Sequence, residues 1–337
     1  MKGGSDIPVA TGPPDPGKIF ALATGYWPSA TLLAANELGL FTALAGGEKT
    51  AAAVASQLGT DARATAMLLD ACCGLNLLTK QHDQYQLTPT AAAFLVPGRP
   101  GYLGSALRWS ADQYSAWGKL ADAMRTGRPV VDPAQHLGAD PRQTRAFVLG
   151  MHERAQGVAR GVVPFINLEG CRTLLDVGGG PGTYSVLLAQ KYPGLRATVL
   201  DLPGIVATAK ELINLPSVTI QSGDATTGDY GTAQYDAVLF SGVLHQMDSP
   251  TIQRMLAGAH RALVPGGRVI ISDMMLEAGQ TQPVFSTLFS LQMLLTTRDG
   301  AVFSTENCAT WLKTAGFAEI QIRPLPPPLP YTVVSAK

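Results

Sequence analysis

Hydrophobic positions along the chain change their spacing near residue 165. Before this point apolar residues recur at helical intervals, and residues 18–45 predict two short helices broken near Pro28. From Arg172 onward, short β-rich runs alternate with helical stretches: TLLDV, ATVLDL, VTIQSG, DAVLFSG, RVIISDMML, EIQIRPL and YTVVSA. This alternation predicts a mostly parallel sheet that is covered by helices on both faces.

Residues 50–95 predict a helix, a second helix and a hairpin. Thr50 and Thr60 stand where helix N-caps belong, and Gly59 and Gly74 stand where helices stop. The stretch LLTKQHDQYQLTP alternates apolar and polar positions around a polar turn, as hairpins do. This winged-helix-like order occurs in many DNA-binding proteins, but the second helix offers only Arg63 as a cation, so packing or dimerisation is the favoured role.

The pattern divides the chain into three parts. We expect a flexible Pro/Gly-rich tail at residues 1–17, a winged-helix-like domain at 18–100 and a larger domain at 101–337. In the larger domain, residues 101–165 form a helical connector and pocket wall, and residues 166–337 form a Rossmann-like α/β domain. Its last two β-rich runs flank PLPPPLP and predict an antiparallel pair at the sheet edge, where proline disturbs the hydrogen bonding least.

Composition narrows the class of partner. The 25 Lys and Arg residues balance 25 Asp and Glu residues, so the chain has no general attraction for nucleic acid or anionic membranes, which favours small-molecule chemistry. Neither a signal-peptide pattern nor a membrane-length apolar run is visible, and we predict a cytoplasmic protein. The four cysteines lack the spacing of a zinc site and no carboxylate cluster indicates a divalent cation, so we expect metal-independent activity.

A glycine-rich turn follows the first β-rich run. In LLDVGGGPGTYSVLLAQ, Gly178, Gly179 and Gly180 allow the backbone to approach a ligand at the carboxyl end of the strand. Thr183 stands where the dinucleotide fingerprint requires its third glycine, so the glycines alone leave the ligand open. Asp201 lies near the end of the second run, where a carboxylate accepts hydrogen bonds from both hydroxyls of a ribose. A nucleoside-bearing cofactor is therefore predicted.

Acidic residues around the turn favour a cationic cofactor. Asp176 and Asp201 are the next-to-last residues of the first two runs, and Asp224 follows the third, where its carboxylate or the adjoining Ala225 backbone would meet an adenine edge. Three carboxylates repel a pyrophosphate and attract a sulfonium. The sequence thus favours S-adenosylmethionine over NAD. A cap of a helix or turn is the alternative role for any single one of these aspartates, and it is a weaker explanation for all three together.

Four stretches of the chain carry a family resemblance: LLDVGGGPGTYSVLLAQKYPGLRATVLDLPGIV, SGDAT, DAVLFSGVLHQMDSPTIQRMLAGAHRALVPGGRVIISDMML and TENCATWLKTAGF. Together they resemble the S-adenosylmethionine-dependent O-methyltransferases of the plant caffeate and hydroxyindole type and their bacterial relatives. The resemblance covers nearly the whole chain after about residue 18. It implies a methyltransferase domain at 101–337 and a homodimer formed through the N-terminal domain. It also implies that the cofactor is contacted by the glycine turn, by Asp201 at the ribose, and by Leu202, Asp224 and Ser241.

Methyl transfer to a hydroxyl requires a group that removes a proton. Of the five histidines, His245 follows the run DAVLFSGVL at the carboxyl edge of the predicted sheet, and His152 is its only rival. A neutral imidazole near pH 7 is a suitable base. The resemblance implies that His245 is catalytic and that Asp273, at the end of RVIIS, orients it. A strand-end cap is the alternative role of Asp273.

Two departures from the family pattern keep the chemistry open. Many relatives read His-Asp-Trp where this chain reads His245-Gln246-Met247, and plant members place a second acid where Val302 stands, with Asp299 as a nearby substitute. The leading hypothesis is methylation of a hydroxyl on a small aromatic or polyketide-like metabolite. C-methylation of a tetrapyrrole-like or other carbon nucleophile, N-methylation and a non-catalytic dimer that binds the cofactor or DNA are alternatives.

Aromatic and flexible side chains predict a pocket for a flat, apolar acceptor. Core packing explains each of these residues equally well on its own. The predicted pocket residues are Phe147, Met151, Met247, Phe289, Met293 and Leu294.

Overall fold

The computed structural model describes residues 13–337, and its contacts divide the chain into two compact units, Met1–Val96 and Pro97–Lys337. The predicted flexible tail at residues 1–17 falls mainly on residues 1–12, which lie outside the described residues. Its last residues are helical instead, because Pro16 begins a helix whose N-cap is Asp15. The Asp15 carboxylate accepts a hydrogen bond from the first turn (2.9 Å), and proline at the first helical position has no helical N–H to lose.

The first unit consists of short helices and a small sheet. Strands β2 and β3 form the predicted hairpin, and β1 adds a third antiparallel strand that the sequence analysis missed. In chain order the elements are α1 (Pro16–Thr24), α2 (Tyr26–Glu37), α3 (Leu40–Ala43), β1 (Lys49–Thr50), α4 (Ala51–Leu58), α5 (Ala62–Gly74), β2 (Leu78–Gln81), β3 (Gln84–Leu87) and α6 (Pro89–Phe94).

Two local details in this unit differ from what the sequence predicts: the helix break near Pro28 has another cause, and one predicted N-cap is wrong. The break between the first helices lies at Gly25, and Pro28 is accommodated in the first turn of α2, where its missing N–H costs no helical hydrogen bond. Thr50 does cap α4, but the N-cap of α5 is Asp61 and not Thr60. The Asp61 carboxylate accepts the capping hydrogen bond (2.8 Å), whereas the Thr60 hydroxyl pairs with another threonine hydroxyl.

The second unit is mixed α/β, as predicted. Its helices are α7 (Gly104–Trp117), α8 (Leu120–Thr126), α9 (Pro141–Val162), α10 (Thr183–Lys191), α11 (Pro203–Leu212), α12 (Ser249–Ala262), α13 (Val284–Thr296) and α14 (Thr305–Thr314). Its strands are β4 (Thr173–Val177), β5 (Arg196–Asp201), β6 (Val218–Ser222), β7 (Tyr235–Ser241), β8 (Leu263–Asp273), β9 (Gln321–Pro324) and β10 (Thr332–Ala336). Single 3-10 turns occur at Pro133–Gln135, Val163–Phe165, Ala225–Thr227 and Leu244–Gln246.

The strands of the second unit form one sheet in the order β6-β5-β4-β7-β8-β10-β9. The first five of these strands are parallel, and β10 and β9 add the predicted antiparallel edge. Strand order reverses between β4 and β7, since β5 lies on one side of β4 and β7 on the other. In such sheets a ligand binds beside the reversal at the carboxyl ends of the strands, which is where the glycine turn begins.

Helices cover both faces of this sheet, and each face has its own buried core. Leu174, Leu239 and Ile270 point to the face that is covered by α9 and α10. Phe240 and Ile271, their neighbours in sequence, point to the face that is covered by α12 and α14, because successive strand residues alternate. No helix within residues 13–337 has the length and apolar character that a membrane crossing needs.

Candidate active site at the carboxyl edge of the sheet

The glycine turn connects β4 to α10, and its position 178 accommodates only glycine. Gly178 has φ +64°, and a Cβ there would lie 2.5 Å from a side-chain methyl of Val243, which follows β7. The Gly178 N–H donates to the carbonyl of Leu200 on β5 (2.8 Å). The turn is therefore held against the strands on both sides of β4, with its backbone at the point where strand order reverses.

Asp176 lies beneath this turn and is fully buried. The Ser185 hydroxyl donates to Asp176 Oδ2 (2.7 Å), while Oδ1 is buried and has no hydrogen-bond partner among the described residues. A Cβ on Gly179 would lie 2.6 Å from the carboxyl carbon, so glycine is needed for the turn to pass over the carboxyl group. Burial raises the pKa of Asp176 to about 7, and the nearby charge of Asp201 acts in the same direction.

Asp201 connects the glycine turn to the end of β5. Its Oδ2 accepts from the Gly180 N–H and its Oδ1 from the Leu202 N–H, both at 2.7 Å. Burial raises the pKa of Asp201, and these two hydrogen bonds oppose that shift. Each carboxylate oxygen retains a second acceptor position. The arrangement thus fits the two vicinal hydroxyls of a ribose.

The remaining predicted cofactor residues lie along the same edge. Asp201 and Ser222 are paired at the ends of β5 and β6, and Asp224 follows two residues later. The exposed Asp224 carboxylate caps the 3-10 turn that begins at the buried Ala225, accepting from the N–H and hydroxyl of Thr226 (2.8 and 2.7 Å). The half-buried Ser241 ends β7 on the other side of the turn. Local capping accounts for the observed contacts of Asp224.

His245 and Asp273 form a buried pair at the ends of β7 and β8. His245 lies in the 3-10 turn after β7 and is 5% exposed, and Asp273 is fully buried. His245 Nδ1 lies 2.7 Å from Asp273 Oδ1, which also accepts from the Met274 N–H (2.8 Å). Because a carboxylate only accepts, Nδ1 carries the proton and Nε2 is left to accept another. Strand pairing of Ser241 with Ser272 brings the two residues together.

No second carboxylate reaches His245 among the described residues. Val302 is buried, and the exposed Asp299 contacts its neighbour Arg298 (3.6 Å), so the structure does not support Asp299 as a substitute acid. The ring of Phe289 instead meets the imidazole edge to face, with the centroids 4.9 Å apart. The histidine is therefore oriented by one carboxylate and one aromatic ring.

The predicted pocket residues differ in their surroundings. Phe289 contacts His245, and Phe147 on α9 contacts Trp109 on α7 (ring centroids 5.1 Å). Met247 packs against the core beneath α12 and α14, and Leu294 packs against a small cluster around Ala116 and Leu295. Met151 is half-buried on α9, and Met293 is buried on α13.

His152, the other candidate for the base, is hydrogen-bonded at the start of α10, next to the glycine turn. Its Nδ1 lies 2.9 Å from the Thr183 hydroxyl at the start of α10, and its Nε2 lies 3.1 Å from the Gln156 amide. Burial lowers the pKa of His152. Both ring nitrogens thus have protein partners, whereas Nε2 of His245 has none among the described residues.

Sequence reasoning missed a pair of hydrogen-bonded amides between α7 and α13. Gln113 on α7 and Gln292 on α13 are hydrogen-bonded to each other (2.8 Å). The spacing of four residues between Trp109 and Gln113 was the available signal, since it puts both residues on one helix face. The partner of Gln113 lies 179 residues away and could not be found from spacing.

Two family models and individual known proteins match this chain over most of its length. The family model for the O-methyltransferase domain matches residues 117–318, and the family model for the O-methyltransferase dimerisation domain matches residues 20–97. A 3-hydroxy-5-methyl-1-naphthoate 3-O-methyltransferase from Streptomyces sahachiroi is 35% identical over 314 residues, which cover 91% of this chain and 90% of that protein. The tetracenomycin polyketide synthesis 8-O-methyl transferase TcmO from Streptomyces glaucescens is 31% identical over 316 residues, 91% of this chain and 92% of that one.

A solved structure extends the likeness to three dimensions. The crystal structure of human N-acetylserotonin methyltransferase in complex with S-adenosylmethionine superposes with a TM-score of 0.88. The match covers 98% of this chain and 99% of the human one, at 26% identity.

Proposed function

Because the chain belongs to the S-adenosylmethionine-dependent O-methyltransferase family, we propose that it methylates a hydroxyl of a small aromatic or polyketide-like metabolite, with His245 as the general base. The observation that carries this proposal is the buried hydrogen bond between His245 and Asp273 at the edge where the cofactor turn lies. It leaves one imidazole nitrogen available for the acceptor's proton.

S-adenosylmethionine fits the residues beside the glycine turn. The close backbone at Gly178 and the orphaned buried oxygen of Asp176 are features that a bound ligand would use, and Asp201 offers its acceptor positions to a ribose. We propose that Leu202, Asp224, Ala225 and Ser241 complete the nucleoside contacts. When bound, the cofactor supplies a methyl group whose bond to sulfur breaks as the acceptor oxygen attacks it.

His245 takes the proton that the acceptor hydroxyl loses. In this proposal Nε2 accepts the proton as the oxygen becomes nucleophilic, and Asp273, a positioning residue, stabilises the resulting imidazolium through Nδ1. Phe289 limits the rotation of the imidazole and offers a surface for an aromatic ring. The acceptors named for the two Streptomyces relatives, a hydroxynaphthoate and a tetracenomycin polyketide, are consistent with such a surface.

We also propose that the first unit forms a homodimer. Its match to a dimerisation domain supports this, as do the apolar side chains that α1 and α2 leave 59 to 80% exposed: Ile19, Phe20, Leu22 and Trp27. Sedimentation analysis should give twice the chain mass of 35.3 kDa. We place the enzyme in the cytoplasm, which is consistent with four free cysteines.

The test of the general base compares His245→Ala with wild type. We expect kcat for a hydroxyaromatic acceptor to fall by about 10² to 10⁴, with unchanged calorimetric binding of S-adenosylhomocysteine. The loss should shrink at alkaline pH, where the acceptor hydroxyl ionises without help. Asp273→Asn should lower kcat in the same direction, and His260→Ala, at an exposed histidine on α12, is the matched control.

Three other results would contradict the proposal. Retention of most of the turnover in His245→Ala would favour a carbon nucleophile or another acceptor that needs no base. Loss of cofactor binding would give His245 a structural role. Salt-dependent binding of DNA without any turnover of S-adenosylmethionine would favour a non-catalytic dimer.

A further inference from the structure

A directed chain of hydrogen bonds joins α7 to α13. The indole Nε1–H of Trp117 donates to Gln292 Oε1 (2.5 Å), and Gln292 Nε2 donates to Gln113 Oε1 (2.8 Å). All three side chains are half-buried, so these amides are partly shielded from water.

Trp117 determines the direction of this chain. An indole N–H can only donate, so the atom of Gln292 that faces it must be the amide oxygen. The amide nitrogen of Gln292 then faces Gln113 and requires an oxygen there as well. As a result Gln113 Nε2 stands at the end of the chain with its N–H donors, and no protein acceptor for them occurs among the described residues.

The end of the chain lies on aromatic-lined helix faces. Trp109, Gln113 and Trp117 are four residues apart and share one face of α7. The Trp109 ring contacts Phe147 on α9. On α13, Gln292 is three residues from Phe289, whose ring meets His245 edge to face. The amide pair is thus set among the rings that are proposed to hold the acceptor.

We propose that Gln113 Nε2 binds a second oxygen of the methyl acceptor, a carbonyl or carboxylate oxygen separate from the hydroxyl that receives the methyl group. The inference rests on the proposed function and narrows its substrate class to hydroxyaromatics that carry such an oxygen. A group that only donates hydrogen bonds, such as an ammonium, is excluded from this position. A hydrogen bond of this kind favours the oxygenated acceptor by about 10- to 100-fold in affinity.

The test uses two ligands that differ by one group. Binding of 3-hydroxy-1-naphthoate and of 2-naphthol, which lacks the carboxylate, is measured by calorimetry with S-adenosylhomocysteine present. Wild type should bind the naphthoate at least 10-fold more tightly. Gln113→Glu keeps an oxygen for the Gln292 amide and replaces the N–H donors by a carboxylate oxygen. It should weaken naphthoate binding at least 10-fold at pH 8 and leave 2-naphthol unchanged.

Two further variants separate recognition from packing. Gln253→Glu makes the same substitution at an exposed position on α12 and should change neither affinity. Trp117→Phe keeps an aromatic ring but removes the donor that orients Gln292. It should reduce the preference for the naphthoate only partly, by raising its KM without lowering kcat.

The outcomes distinguish this inference from the proposed function. Equal affinity of wild type for both probes, no binding of either probe, or an equal loss of both in Gln113→Glu overturns the role of Gln113. Methyl transfer to both naphthols without discrimination overturns this inference alone. Discrimination in binding without any methyl transfer leaves the role of Gln113 supported and overturns the proposed function.

Discussion

Replacing Asp176 by asparagine should change how the stability of the protein depends on pH. Asp176 is fully buried, and burial is the main reason that its pKa is raised from 3.8 to about 7. Between pH 5 and pH 7 the folded protein therefore holds a proton that the unfolded chain has released. Wild type loses unfolding free energy as the pH rises through this range, because the folded state then binds more protons than the unfolded state.

The size of the effect follows from the width of that range. Wild type loses about 1.36 kcal/mol of unfolding free energy for each of the two pH units between pH 5 and the pKa of Asp176, which is about 7. The total loss is about 2.7 kcal/mol and is complete by pH 8. Asparagine does not titrate, so Asp176→Asn lacks this loss. Its amide nitrogen takes the buried position of an unpartnered oxygen, which costs roughly 1 to 3 kcal/mol at every pH. The variant should be less stable than wild type at pH 5 and about equal or more stable at pH 8.

Urea unfolding at pH 5, 6, 7 and 8 measures the difference between the two proteins. Asp236→Asn is the matched control: burial raises the pKa of Asp236, but hydrogen bonds from Arg172 and Thr173 outweigh it and leave the pKa below its ordinary value. Asp236 is thus ionised in both states above pH 5, and its variant should differ from wild type by a constant amount. A stability difference between Asp176→Asn and wild type that stays the same from pH 5 to pH 8, or a variant that becomes less stable relative to wild type as the pH rises, would refute the argument from burial.

Three further predictions concern the site. Gly300→Ala should lower kcat on the order of 100-fold without changing calorimetric cofactor binding, because its Cβ would lie 2.6 Å from the carbonyl oxygen of His245 and displace that residue; unchanged kcat would contradict this. Asp201→Asn should weaken S-adenosylhomocysteine binding about 10-fold or more at pH 8. Because burial raises the pKa of Asp201, the affinity of wild type for S-adenosylhomocysteine should also fall on acidification. An affinity that does not change with pH would contradict this prediction. A chelator such as EDTA should leave turnover unchanged, since in the proposed reaction His245 takes the proton and the cofactor supplies the methyl group; inactivation that an added divalent cation reverses would show a metal requirement.

Local features predicted the second unit well. Every β-rich run found by alternation is a strand, and the sheet is parallel with an antiparallel edge, because strand periodicity and turn residues are properties of neighbouring positions. Local patterns were less reliable where two residues compete for one role. Asp61 and Thr60 both suit an N-cap, and only the path of the backbone decides which side chain reaches the free N–H groups.

The sequence by itself determined the family, the cofactor class and the order of the elements, since these depend on contiguous motifs such as the turn at Gly178. It proposed His245 and Asp273 by resemblance and position alone. Only the tertiary structure decided that these two, 28 residues apart, are hydrogen-bonded, that Asp299 is exposed and contacts Arg298, and that Gln113 meets Gln292. The reason is physical: strand pairing and helix packing join residues that are distant in the chain, and no local spacing encodes that distance.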